Sequence, residues 1–328
     1  MYSRSTGAVI IASFLTALPL AIHAEGELHS AWSTVWVEND LVVKTDRHYT
    51  SGAKVAYLNS ERPVDSDAAE AAVGRWLPDF GLQTTAIRWG IALSQDIYTP
   101  ADIQALIPPP DDRPYAGYLY TTLYLQKRGR TGRGTEELDQ WSLDLGIVGP
   151  PALGELAQNT VHRLRGFDTA KGWGSQLHTE PAVNLHYLRT LRYTTSIGQG
   201  LQADFLPQYG VTGGTTYDFA EVGGQVRLGW NLADDFGRRC NQETLPGAGG
   251  RSDTDGHGFS IYGLLGLDGR AVAHNTLLEG NLFQESRSVK IRHFVGEVKA
   301  GVGLGWGRWE LAYIQSLRSK EYVRQPSV

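Results

Sequence analysis

The feature that most constrains this chain is alternation with a period of two, sustained over stretches of about ten residues. Trp141, Leu143, Leu145 and Ile147 alternate with Gln140, Ser142, Asp144 and Gly146. Ala220, Val222, Val226, Leu228 and Trp230 share one parity, against Glu221, Gly223, Gln225, Arg227 and Gly229 on the other. Phe294, Val298, Ala300, Val302, Leu304 and Trp306 oppose Glu297, Lys299, Gly301, Gly303 and Gly305 in the same way. Such a pattern belongs to strands whose two faces meet different surroundings. A soluble sandwich and a membrane barrel both satisfy it. The length of the stretches and their aromatic ends favour the barrel, whose strands need about 9–11 residues to cross a bilayer with apolar side chains toward lipid.

Read throughout, the pattern predicts strands near 32–40, 50–58, 86–95, 116–127, 139–148, 182–193, 199–212, 216–230, 257–268, 290–306 and 308–317. Single-chain bacterial barrels close with an even number of strands. The expectation is therefore an all-β, antiparallel transmembrane β-barrel of about twelve strands, of which the sequence displays eleven and the last is missing. The start of the chain reads as an export signal over residues 1–24: Arg4, an apolar stretch from Ala8 to Ile22, and Ala24 before Glu25. Residues 25–328 then form one outer-membrane barrel domain. No later window of about 18 apolar residues offers a helical span. Cys240 is the only cysteine, which excludes an intrachain disulfide and a cysteine-rich metal site. A formal net charge of -5 gives no reason to expect a nucleic-acid partner.

If the first strand runs outward, loops after odd-numbered strands gather on one side of the membrane. Three polar clusters fall there. Glu38-Asn39-Asp40 faces Asp46 to Ser51 across a hairpin, and offers hard oxygen ligands for calcium or simply a capped turn. Gln95 to Pro100 is followed by Asp111-Asp112-Arg113-Pro114-Tyr115-Ala116-Gly117, where Arg113 either binds an anionic substrate group or pairs with a neighbouring aspartate. The segment from Gly149 to Glu180 carries a predicted helix over 152–165, with Leu153, Ala157, Thr160, Val161 and Leu164 on one stripe. Glu155, Gln158, His162 and Arg165 form another, so Gln158 and His162 share a face and either serve a pocket together or are merely exposed. The opposite side carries segments 59–85 and 231–256, longer than the short turns usual there.

The order Glu38-Asn39-Asp40, Tyr49-Thr50-Ser51-Gly52, Tyr98-Thr99-Pro100, Arg113 to Gly117, Gly146 to Pro150, Gln158 to His162 and Gly172 to Leu177 resembles the outer-membrane lipid A 3-O-deacylases. The resemblance implies a twelve-stranded barrel with its site between the outer barrel wall and a loop helix. It implies calcium-dependent hydrolysis of the 3′-linked acyloxyacyl ester of lipid A, the membrane anchor of lipopolysaccharide. His162 would activate water, with Asn39, Asp40, Thr50 and Gln158 as its catalytic companions. Asp40, Thr50 and Asp168 would hold calcium, and Arg113 and Tyr115 would bind substrate. Asp168 stands where the family has a glutamate, and a basic residue of the family has Arg113 as its nearest counterpart. The expected protein is a monomer in the outer membrane with its site toward the outer leaflet. Two other functions compete: a phospholipase-type esterase using Ser51 or Ser94, and a passive channel or structural barrel.

Overall fold

The computed structural model describes residues 9–18, 31–39, 48–66, 69–237, 258–307 and 309–326, with the backbone alone for 9–18, 38–39, 48–50 and 69–70. Asp40 and Cys240 lie outside the described residues. The elements follow in the order β1 (Val9–Leu18), β2 (Trp32–Asn39), β3 (His48–Leu58), β4 (Arg62–Pro63), α1 (Ala69–Gly74), β5 (Gln83–Thr99), β6 (Ala116–Arg130) and β7 (Glu136–Val148). Then come α2 (Gly154–Arg165), β8 (Glu180–Gly198), β9 (Leu201–Gly214), β10 (Tyr217–Trp230), β11 (Phe259–Asn275), α3 (Thr276–Glu279), β12 (Phe294–Trp306) and β13 (Trp309–Arg318).

All eleven strands read from alternation are present, several of them longer than the pattern alone showed. Neighbours pair antiparallel from β5 through to β13, β13 pairs with β1, β1 with β2, β2 with β3, and β3 with β5. The twelve strands other than β4 close a ring; β4 adds a short pairing to β5. The twelfth strand is Val9–Leu18, at the start of the chain and inside the stretch read as an export signal. Val9–Leu18 is apolar at both parities, interrupted only by Ser13 and Thr16, so periodicity does not reveal it as a strand.

On β5 the lipid-facing side chains are Trp89, Ile91 and Leu93, all exposed, while Arg88, Gly90, Ala92 and Ser94 point inward and are buried. The inward set carries the charge, and the charges are paired. Arg227 bridges Asp204 and Asp235, Lys299 reaches Asp268 at 2.6 Å, and Asp144 takes a hydrogen bond from Thr122 at 2.7 Å beside His186 at 2.8 Å. Gln126 joins Arg88 to Gln140. Buried charges persist in a low-dielectric interior only when partnered in this way.

The long segments at the end opposite α2 have structural work. Residues 231–237 turn toward the lumen, where Asp235 meets Arg227, Asp234 meets Arg128 and Arg192, and Phe236 is buried. The segment around α1 covers the outer wall instead. Lys127 donates to the Leu77 carbonyl at 2.6 Å, and Arg189 is held by Asp139 and by the carbonyls of Asp79 and Phe80. Charged side chains at outward positions are thereby shielded. Trp89, Trp141 and Tyr187 lie in one register row across β5, β7 and β8, with Leu125 of β6 between the first two. With Trp230, Trp306 and Trp309 they form the interfacial aromatic girdle expected of a membrane barrel.

Candidate functional site

The site begins with a row of four strand residues at the opposite rim. Asn39 of β2 pairs with Ser51 of β3, Ser51 with Ile97 of β5, and Ile97 with Gly117 of β6. Ile97 continues the outward parity of Trp89, Ile91 and Leu93, yet it is buried. Tyr115, Ala170 and Trp173 cover it, with Ile103 and Ala157 packed against them. The loop helix α2 and the segment leaving it therefore lie on the outside of the barrel wall.

Local chemistry explains how the chain settles there. Pro150–Ala152 makes a single 3-10 turn, Leu153 takes the left-handed conformation at φ 60°, and α2 starts at Gly154. The helix accordingly begins two residues later than the predicted 152. A Cβ on Gly154 would stand 2.7 Å from the Trp173 ring and 3.1 Å from the Cα of Gly117, so glycine at 154 and at 117 lets helix and wall touch. Gln95, polar on the outward face, donates to the Ala152 carbonyl at 2.7 Å. Gly166, at φ 73°, ends the helix with its N–H donated to the carbonyls of Arg163 and His162.

The helix turns polar side chains inward. Gln158, Asn159 and His162 are buried, while Glu155 and Arg165, which share their predicted stripe in part, are exposed. Asn159 accepts from the Ala170 N–H at 2.8 Å and donates to the Ala170 carbonyl at 3.3 Å, folding the exit segment back under α2. Trp173 Nε1 donates to Gln158 Oε1 at 2.8 Å. That bond fixes the amide, because an indole N–H only donates, and it turns the Gln158 NH2 the other way. Gln158 Nε2 is buried with no hydrogen-bond partner. His162 Nδ1 lies 2.6 Å from the main-chain carbonyl of Asp168. A carbonyl only accepts, so Nδ1 carries the hydrogen and the basic lone pair is on Nε2.

The structure thus gathers Gln158, His162 and Asp168, with Tyr115 beneath them against Trp173 at a ring separation of 5.0 Å. Asp168 acts on His162 through its backbone, and its side chain is exposed. Asn39 lies in the same strand row, and Thr50 marks a register shift between Tyr49 and Ser51, a bulge at the rim. Arg113 is elsewhere. It is fully buried at the mouth of the lumen, 4.4 Å over the Tyr98 ring and 3.8 Å from Glu321, its own N–H donated to Asp112. Tyr322 donates to the same aspartate at 2.6 Å; burial and that bond raise its phenol well above the ordinary range. Ser94 is buried on the lumen side of the wall, so it faces away from His162. Asn159 and Trp173 were visible in sequence only as members of motifs; their work depends on a fold-back that no spacing announces.

Oxygen donors suited to calcium remain few among the described side chains. No group of three or more His, Cys, Asp or Glu among the described residues is placed to hold a metal ion. The Asp168 carboxylate is available, and the set Asp40, Thr50 and Asp168 has the hard-oxygen chemistry calcium takes.

A closed antiparallel ring, an aromatic girdle and an outward apolar surface define an outer-membrane β-barrel, here with a candidate site on its outer wall. The chain belongs to the family described as outer membrane protein LpxR, whose sequence profile matches residues 9–328. The structure of LpxR from Salmonella typhimurium has the same fold, with a TM-score of 0.63 at 17% identity, covering 94% of this chain and 99% of that one. The β domain of the Bordetella autotransporter BrkA gives a TM-score of 0.36 at 11% identity, over 95% of this chain and 99% of that one. Comparison with curated protein sequences returns no match.

Proposed function

We propose that this protein is a lipid A 3-O-deacylase that hydrolyses the 3′-acyloxyacyl ester with water activated by His162. The observation that carries this reading is the His162 ring, buried on α2 against the segment that leaves the helix, with Nδ1 committed to the Asp168 carbonyl. In that tautomer Nε2 takes a proton from water. The hydroxide attacks the ester carbonyl carbon, and the bond to the sugar oxygen breaks. The proton on Nε2 passes to that oxygen, leaving a sugar hydroxyl and a free acyloxyacyl acid. The Gln158 NH2, buried and without a partner, is a donor for the oxygen that gains negative charge in the transition state. Asn39 orients the reacting groups. Asp40, Thr50 and Asp168 would hold calcium, which when bound polarises the ester carbonyl. Tyr115 supports substrate binding from beneath through Trp173, while Arg113, held at the mouth of the lumen by Tyr98 and Glu321, acts only indirectly by fixing the loop that precedes β6.

A site on the outer wall suits a substrate that lies in a leaflet, and the rim bearing α2 faces the outer leaflet in this reading. A passive channel is less well supported, because lumen charges are paired across the barrel and residues 231–237 turn toward it. The test is mass spectrometry of lipid A from cells expressing the protein beside a His162→Ala variant. Loss of the acyloxyacyl group with the first and not the second supports the reading. Unchanged lipid A with a folded protein refutes it. Ser51→Ala separates the phospholipase-type alternative, which predicts that this variant is inactive.

A further inference from the structure

We infer that the outer face of α2 is immersed in the acyl chains of the membrane leaflet on its side, making the helix a membrane-anchored lid. Three observations carry this. The first is position: α2 and its exit segment sit over Ile97 and Gly117, which are outward positions of the wall. Along β5, Ile97 lies eight residues beyond Trp89 of the aromatic girdle. At ~3.3 Å per residue and a tilt of about 40°, that is roughly 20 Å up an apolar band about 25 Å tall. The contact therefore falls inside the band, near its upper edge.

The second observation is the helix's polarity. Its buried face is Gly154, Gln158, Asn159 and His162, and its exposed positions are Leu156, Val161 and Leu164, the last 82% exposed, with charge confined to Glu155 in the first turn and Arg163 and Arg165 in the last. A helix surrounded by water would show the reverse arrangement. Leu153 and Phe167 extend the exposed apolar surface past both ends. The third is continuity. Leu93, Leu123 and Leu145, on the strands next to α2, are exposed at lipid-facing positions, so the helix surface prolongs the belt they belong to. Arg163 and Arg165 are exposed at the end of α2, where long cationic stems reach anionic headgroups while leaving the apolar face in hydrocarbon.

The occupant of this face is lipid acyl chain. If the reading as a lipid hydrolase holds, substrate chains reach the cleft sideways from the leaflet, and that consequence rests on the proposed function. The anchoring does not.

The test uses the full chain carrying Cys240→Ser and Leu164→Cys, labelled at residue 164 with a polarity-sensitive fluorophore and folded into phosphatidylcholine–phosphatidylglycerol vesicles. Blue-shifted emission that falls by more than half when the lipids carry a nitroxide on the acyl chain supports the inference. An Asp111→Cys label at the mouth should report water in both vesicles. Water-like emission from residue 164 overturns the inference, and so does a shifted but unquenched signal, which would mean that protein covers the face. For the route, a Leu156→Asn/Leu164→Asn variant should lose about tenfold in turnover of lipid A in vesicles and recover in detergent micelles. Equal rates for variant and parent in vesicles would overturn lateral entry, whereas an inactive parent would count against the proposed function instead.

Discussion

His162 is steered by one backbone carbonyl, and that carbonyl is steered by Asn159. Asn159 binds both the N–H and the C=O of Ala170, so replacing it with alanine leaves two buried backbone groups unpaired, at a cost of about 1–3 kcal/mol each. Because Ala170 lies outside the strand ladder, that cost falls on the fold-back and not on the barrel, so Asn159→Ala should leave the unfolding temperature of the ladder unchanged while giving faster amide exchange across 167–172 and a reduced rate of ester hydrolysis. Unaltered exchange would show that the fold-back does not depend on Asn159. Gln158 gives a second residue-level prediction. Gln158→Glu keeps the size and the acceptor for Trp173 but loses the NH2, so it should lower kcat by about 10²–10³ with KM little changed, as removal of an oxyanion donor does. Gln158 and His162 were legible as a pair because four residues place them on one helical face. Arg113 was not, since it precedes β6 and strand parity gives it no side; the ring of Tyr98 and the tail residue Glu321 draw it to the mouth of the lumen.

Strands and helix differ in how openly the sequence declares them. Eleven strands were legible because lipid on one face and a polar lumen on the other impose opposite chemistry on alternate residues. The purpose of α2 was less legible, because both its stripes satisfy a helix and only the wall decides which one turns inward. The close approach of Gly154 to Gly117 sets that choice. Gly154→Val should push α2 off the wall, overpacking it by about 1–3 kcal/mol, and abolish hydrolysis while the barrel still folds. The check is heat-modifiable electrophoretic mobility measured beside activity; retained activity would mean that the contact does not position the helix.

At the scale of the whole molecule, closure and interior are held by different forces. The ladder closes through backbone hydrogen bonds, with Val9–Leu18 between β13 and β2. A leader removed after Ala24 takes that strand with it, so the intact mass of protein recovered from outer membranes decides the matter directly. A mass including residues 9–18 fits the ring as described, and a start near Glu25 requires another strand in that place. The lumen depends on charge pairing. Arg227→Met takes the guanidinium away from two buried carboxylates, leaving Asp204 with Arg192 at 3.6 Å and Thr194 at 2.7 Å and Asp235 with the Gly237 N–H at 2.9 Å, and should cost at most about 3–5 kcal/mol, read as a lower denaturant midpoint for unfolding. In the proposed function these forces hold the wall that carries the candidate site on its outside, where a leaflet lipid would meet it. The most direct measurement of the central claim is the lipid A mass spectrum from cells producing the protein, taken with calcium present, with calcium chelated, and with His162→Ala. The account predicts loss of the 3′-acyloxyacyl group in the first condition alone. Intact lipid A in all three, from a barrel shown to be folded in the outer membrane, would contradict it.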